Sequence, residues 1–290
     1  MNKNKSLISA LFVMLLWGSL FPMIKLGYAA HSIETVGDIL LFAGVRFTIC
    51  GSLVSLYAFI TDKASFKPIK SALVPVLLSG LFSIILHYSF TYCALQLTDS
   101  SKTAILKQIG ALLYVCFSFL FFKDDRLTAK KLIGAVMGFS GIIAINSNAK
   151  GVSFNLGDAL IIAASFCLVV SNIISKKVFA KVTPITATGV SQFFGGVVLL
   201  IIGVFMHGSM SFDFNTSYVF IYICLASIFS YCIWFNILKT GELSKLFIIK
   251  FAEPVFACIF GAIILRENIF NIQYLLSFLL IAGGIYISNK

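Results

Sequence analysis

Charge is what this chain has least of. Charged residues make up 11% of its 290 positions, where ordinary soluble domains carry about 25%. Catalytic equipment is equally sparse. The three histidines (His31, His87 and His207) are scattered, and two lie near loops. No CxxC occurs, no Cys/His cluster has metal-ligand spacing, and no glycine-rich phosphate loop or paired catalytic carboxylates appear. With no nucleophile–base–orienter set either, an enzyme reading has little to stand on, and no cofactor or metal is implied. What remains is apolar. Hydrophobic residues are 59% of the chain, with 30 Phe and 10 Tyr, more than one soluble globule of this length can bury.

The fold class this points to is all-α integral membrane. A membrane-crossing helix needs about 20 apolar residues, and apolar stretches of that length give ten transmembrane spans. They run over 6–29, 35–60, 71–95, 99–122, 128–147, 155–176, 184–206, 215–238, 243–265 and 271–288. The net charge of +11 is explained by orientation rather than by nucleic acid, which would need a basic soluble face. With the N-terminus inside, 15 basic residues fall at inner ends: Lys3, Lys5, Lys63, Lys67, Lys70, Lys123, Arg126, Lys130, Lys131, Lys176, Lys177, Lys181, Lys239, Lys245 and Lys290. Only three, Lys102, Lys150 and Arg266, fall outside. That bias predicts a multi-pass protein of the cell (inner) membrane with both termini cytoplasmic. The opening Lys3 and Lys5 resemble a signal peptide, but the following run is long and lacks a small-residue cleavage site, so it reads as the first retained span. All seven cysteines fall inside spans and read as small packing residues.

Sliding the sequence by 143 positions matches residues 88–146 to residues 231–289. Tyr88 falls on Tyr231, Ser101-Lys102 on Ser244-Lys245, Lys107 on Lys250, Asp124 on Glu267, Gly141 on Gly284 and Asn146 on Asn289. Aligned Leu and Ile would mean little, so the polar matches carry the argument. Ten spans in two copies give five each. Because five is odd, the second copy enters the membrane from the opposite side, and inverted repeats follow. The halves are 1–147 and 148–290, together forming one transmembrane domain. Gly134, Gly138 and Gly141, with Gly283 and Gly284 at the matching place, point to tight helix packing inside the bundle or at a dimer contact; monomer and weak homodimer both remain open.

Four basic residues are left over inside spans. Lys25 lies near an outer end and could snorkel. Arg46 lies roughly 15 Å deep at about 1.5 Å per residue and needs a partner or a watery cavity. Lys107 and Lys250 sit at repeat-equivalent depths, each roughly 10 Å inside. A centre ringed by Arg46, Lys107 and Lys250 would attract a carboxylate or phosphate. Glu253 is the sole carboxylate deep in any span. Lys250, three residues earlier, shares its helical face, and Pro254 frees the Lys250 carbonyl. Glu253 and Pro254 therefore read as a coupling point, with a proton as the candidate ion, or as a neutralising ion pair. Trp17, Tyr88, Tyr231 and Trp234 lie away from the interface belts and could shape a substrate cavity, although most aromatics in such a chain merely pack. Asn172, Gln192 and Asn236 read as interhelical hydrogen bonders.

Several short motifs, in order, resemble the drug/metabolite transporter (DMT) superfamily, EamA type. They are Trp17-Gly18-Ser19 with Lys25, Arg46-Phe47, Ala94-Leu95, Asp124-Asp125 and Gly134 to Gly141, then Glu253-Pro254-Val255, Leu265-Arg266-Glu267 and Gly283-Gly284. The resemblance spans nearly the whole chain. It implies a central cavity lined by the first four spans of each half, with the fifth and tenth peripheral. It also implies alternating access and small-metabolite substrates, commonly exported amino acids and related compounds. The chain departs from the family in having Ile109-Gly110-Ala111-Leu112 where a fourth-span proline is usual, and in having Lys107. The reading is a secondary transporter of a small polar or anionic metabolite, with amino-acid efflux foremost. The alternatives are uptake or exchange of a nucleotide-like or phosphorylated metabolite, and a non-transporting membrane scaffold.

Overall fold

A computed structural model describes residues 3–110, 113, 128–148, 151–211, 215–240 and 252–288. Helix follows helix: α1 (Lys3–Ala30), α2 (Val36–Thr61), α3 (Ile69–Gly80), α4 (His87–Leu97), α5 (Ser100–Lys107), α6 (Ala129–Asn146), α7 (Leu156–Phe179), α8 (Pro184–Phe205), α9 (Ser217–Thr240), α10 (Ala252–Leu265) and α11 (Ile272–Ser288). A two-residue ladder, Ser147–Asn148 against Gly151–Val152, closes the turn between α6 and α7.

Local chemistry sets the helix starts. Thr35 caps α2 and Asn155 caps α7, each answered by an aspartate three residues on, Asp38 and Asp158. Such reciprocal caps satisfy amide hydrogens that the first helical turn leaves orphaned. Pro184 opens α8, where its missing N–H costs nothing. Between α3 and α4 the chain winds as a π-helix over Leu81–Leu86, so the third span is one apolar rod, Ile69–Leu97, with a register change in its middle.

The protein is an all-α, multi-pass membrane protein. Among the described residues seven helices are long and apolar enough to cross a membrane, and Ala252–Leu265 and Ile272–Gly284 are shorter apolar helices. The fourth expected span, 99–122, and the ninth, 243–265, are described only in part, as α5 with Gln108–Gly110 and as α10. Large apolar side chains such as Val74, Leu132, Phe205 and Ile263 project outward, as they do where lipid is the solvent.

Helix neighbours follow a pattern. α2 packs on α8, α6 on α11 and α5 on α10; α1 packs on α9 and α10, while α7 packs on α4, α3 and α5. This pairing is unchanged when the two halves of the chain are exchanged.

The closest approach is between α2 and α8. Gly37, Gly44 and Gly51 recur every seven residues on one helix side, and Gly189, Gly196 and Gly203 do so on α8. A Cβ at Gly44 would run into the backbone of Leu200, at Gly51 into Phe193, at Gly196 into Thr48 and at Gly203 into Leu41. The two backbones are thus in direct contact along an antiparallel seam, as small residues permit within bilayers. The glycines singled out in α6 and α11 do the same work at a second crossing. A Cβ on Gly284 would lie 2.5 Å from the Gly134 carbonyl and one on Gly141 2.7 Å from Ile281, so their packing is within the chain.

Gly196→Leu should therefore lower the thermal unfolding midpoint in detergent far more than Gly283→Ala, whose new methyl meets only the mobile end of Met137 at 3.1 Å. Overpacking of this kind costs about 1–3 kcal/mol or more. Equal midpoints for the two variants would refute the seam as a stabilising contact.

Candidate functional site

Arg46 leaves α2 on the side away from the glycine seam. It stands two residues from Gly44, about 200° around the helix at 3.6 residues per turn. The side chain is 1% exposed. Its Nη2 donates to Ser227 Oγ on α9 at 2.7 Å. The guanidinium also lies 4.8 Å from the ring centre of Phe47, 5.7 Å from Tyr92 and 5.8 Å from Tyr88. Nε and Nη1 have no hydrogen-bond partner. Among the described residues the ion pairs are Lys102–Asp158 and Lys107–Glu253, so no carboxylate answers Arg46. Aromatic faces offset part of the cost of holding a cation there, but they do not neutralise it.

Tyr88 and Tyr231 meet beside it. Their hydroxyl oxygens are 3.1 Å apart, and the residues are separated by 143 positions, the same offset as the internal match. Trp17 closes the next layer. Its indole N–H donates to Ser230 Oγ at 2.8 Å, and its ring lies 6.1 Å from Tyr231 and 5.3 Å from Trp234. The consecutive residues Trp17, Gly18 and Ser19 make three separate contacts. Trp17 packs on α9, and a Cβ at Gly18 would sit 2.7 Å from the Glu253 carbonyl on α10. Ser19 Oγ lies 2.6 Å from the Tyr222 hydroxyl.

Lys107 ends α5 and reaches Glu253 on α10, Nζ to Oε1 3.4 Å, with Phe21 5.1 Å below the ammonium. It is within electrostatic reach of Arg46 and Tyr88 too. Sequence spacing points Glu253 toward Lys250, three residues before it. The partner present is Lys107, from the other half of the chain, and Lys250 lies outside the described residues, as do Asp124 and Asp125. Pro254 is buried beside Glu253 in the first turn of α10.

Other expectations change. The Lys25 ammonium donates to the Thr98 carbonyl at 2.8 Å. His87 is held by the Ala164 carbonyl at 2.9 Å. Gln192 is fully buried, yet neither end of its amide finds a partner, and Asn172 is exposed; among the described residues neither acts as the expected interhelical bridge. The side chain of Asn236 lies outside the described residues. Ser227, Ser230 and Tyr92 belong to the centre but do not stand out in the sequence. Ser227 falls four residues before Tyr231, one turn along the same face, which is the signal that could have found it.

The end of the bundle that carries Thr35 and Thr98 is tied together by polar contacts. Glu267 accepts from the backbone N–H groups of Ser100 at 2.7 Å and Ser101 at 3.0 Å. Lys102 bridges Asp158 at 2.8 Å and Asn146 at 2.8 Å. A hollow of about 580 Å³ opens between Ser32–Asp38 and Met206–Ser209 at this same end. It is away from Arg46, and of its two carboxylates, Glu34 and Asp38, the latter is already used by the amides of Thr35, Glu34 and Ser209.

The sequence profile of the EamA-like transporter family matches residues 4–147 and again 155–289. The chain belongs to the EamA-like transporter family. Among its relatives, an uncharacterized transporter of Archaeoglobus fulgidus is 25% identical over 92% of this chain and 91% of its own length. The uncharacterized transporter YoaV of Bacillus subtilis is 26% identical over 98% of this chain and 97% of its own. A probable amino-acid metabolite efflux pump of Escherichia coli is 25% identical over 98% and 95%. One crystal structure superposes with a TM-score of 0.65 at 19% identity, covering 99% of this chain and 96% of that one, a likeness of fold alone.

The tyrosine pair of this EamA-like protein should show energetic coupling. Tyr88→Phe and Tyr231→Phe, taken singly and together through thermal unfolding, should give an interaction term of about 1 kcal/mol. Strict additivity would mean the 3.1 Å contact contributes nothing.

Proposed function

We propose that this protein is a secondary transporter that exports small carboxylate-bearing metabolites of the amino-acid class by alternating access, with its substrate site at Arg46, Tyr88, Tyr231, Lys107 and Glu253. Arg46 is the observation that carries this reading. A cation with two nitrogens unpartnered at 1% exposure is costly inside a membrane, where ionisable groups mark substrate or ion pathways. A carboxylate arriving there gains charge-assisted hydrogen bonds and neutralises the guanidinium. Trp17 and Trp234 wall the site, and Lys250, Pro254 and their neighbours complete the set of candidates. That relatives of similar length are named amino-acid metabolite efflux pumps supports the substrate class.

The proposed machine is a pair of inverted five-helix repeats, 1–147 and 148–290, set in the inner membrane with both termini cytoplasmic. The exchangeable helix pairing and the 143-residue separation of Tyr88 and Tyr231 support this. On the charge tally the end tied together by Lys25, Glu267 and Lys102 faces outward, and those polar contacts support a cycle in which that end closes against the outside. Opening that end releases substrate, and the exchange of halves is the motion that opens it.

Purified protein reconstituted in vesicles should move amino-acid-class carboxylates faster than protein-free vesicles. Arg46→Gln should slow that flux roughly 10- to 100-fold, the worth of about 1.5–3 kcal/mol in a hydrogen bond to a charged group. An unchanged rate in a folded Arg46→Gln protein removes Arg46 from the site. Absence of flux for every carboxylate tried would leave the scaffold reading standing and this one overturned.

A further inference from the structure

We infer that Cys50 and Cys224 form a dithiol site that takes trivalent arsenicals, and that an arsenic atom bridging the two sulfurs locks α2 to α9 and stops transport. The site stands on its own geometry; its effect on flux rests on the transport reading above.

Both cysteines are buried, Cys50 on α2 and Cys224 on α9. The Cys50 thiol donates to the Cys224 carbonyl at 3.7 Å, across 174 positions of sequence. The two sulfhydryl groups are also within hydrogen-bonding reach of one another. Cys50 follows Arg46 by four residues and Cys224 precedes Ser227 by three. Each therefore stands one helical turn from the Arg46–Ser227 bond, on the same face. Ser227 reaches Cys50 as well, and Arg46 is within electrostatic reach of both sulfurs. A thiol beside a fixed cation is in the setting where cysteines react rather than merely pack. Gly51, next to Cys50, lies against the backbone of Phe193, so α2 cannot turn the thiol away. The other described cysteines, Cys93, Cys167, Cys232 and Cys258, show no such pairing.

Two sulfurs held this way suit a soft atom placed between them. A disulfide would need them drawn to about 2.05 Å and an oxidant to accept two electrons. An organic arsenic(III) compound needs neither. In its hydrated form, R–As(OH)2, each thiol displaces one hydroxyl. Two As–S bonds form, two As–O and two S–H bonds break, and two waters leave. Arsenic stays trivalent and nothing is oxidised. A small, neutral, apolar arsenical also dissolves in the bilayer, which is how a pair this buried can be reached.

Bridging has a mechanical consequence. The seam glycines leave α2 and α8 no room to slide past each other. A rearrangement that opens the centre therefore runs along the boundary between α2 and α9, where contact is made through side chains. The arsenic bridge would span that boundary one turn from Arg46. It would also tie together residues 174 apart in sequence, and closing so long a loop restricts the unfolded chain and stabilises the folded one.

The test uses phenylarsine oxide on the full-length protein, in detergent and in vesicles. Peptide mass mapping should place one phenylarsenic group across Cys50 and Cys224, with both thiol hydrogens lost. The modified protein should unfold at a higher temperature, and dimercaptopropanol should strip the group and reverse that shift. Cys50→Ala and Cys224→Ala should each lose the bridge, whereas Cys93→Ala and Cys232→Ala should keep it. If a variant does not fold, the map of the wild-type protein still decides. A native protein left unmodified while its denatured form reacts, or arsenic bridging any other pair, overturns the site. In vesicles the bridged protein should lose its flux of amino-acid-class carboxylates and regain it with dimercaptopropanol. Whatever flux Cys50→Ala retains should ignore the reagent. A bridged protein that still transports overturns the lock and leaves the site standing. No flux before modification overturns the transport reading, and the mapping and unfolding measurements then still decide the site.

Discussion

The backbone contact between α2 and α8 is the constraint from which the rest of this molecule follows. Six glycines at seven-residue spacing let two helices approach until main chain meets main chain, a distance at which any larger residue collides. Fixing that side of α2 against α8 also fixes what the other side presents. Arg46 and Phe47 lie between Gly44 and Gly51 in sequence, and Arg46 points away from the seam toward Ser227 on α9 and the rings of α4. A buried arginine in a loosely held helix could rotate toward the membrane surface. Here it cannot, because rotation would bring larger α2 side chains against the backbones of Leu200 and Phe193, where only a glycine hydrogen fits.

The polar centre is built on the same economy. In a bilayer the backbone has no water to turn to and the side chains have no hydrophobic drive to associate. Specific contacts therefore come from a few groups placed where helices cross: the Tyr88–Tyr231 hydroxyls, the Trp17–Ser230 bond and the Lys107–Glu253 pair. Each joins one half of the chain to the other. The π-helical turn at Leu81–Leu86 lies just before Tyr88, in contact with α8 through Ile84 and Gly195, and its register change helps set where Tyr88 points. At the Thr98 end different chemistry takes over. Carboxylates of Glu267, Asp158 and Asp38 accept backbone N–H groups at helix starts, a favourable setting for negative charge at the positive end of the helix dipole.

Much of this was legible in the linear chain because membranes punish misplaced polarity. Arg46, Lys107 and Glu253 stand out for being charged inside apolar runs, and the structure brings all three into one electrostatic neighbourhood. The 143-residue offset puts Tyr88 opposite Tyr231 on paper, and they touch. The α6–α11 glycines are visible as well. The glycine heptads of α2 and α8 are equally present in the sequence but carry no message there, since spacing within each helix is informative only when the two are recognised as partners. Ser227 and Ser230 are hidden for a different reason: serine inside a span is common, and nothing local separates one that receives an arginine from one that returns its hydroxyl to its own backbone.

By itself, then, the sequence determined the solvent, the helical class and which rare charged residues needed an explanation, because each of those depends on composition and period along one helix. Tertiary structure alone decided the pairing. Local spacing offers Glu253 the lysine three residues before it, which lies outside the described residues; among the described residues the fold brings it Lys107, 146 positions away, through the crossing of α5 and α10. It likewise decided that Arg46 has no counter-ion among the described residues. A one-dimensional chain lists charges, but whether they cancel depends on distances across helices, and those are set by how closely the helices can pack.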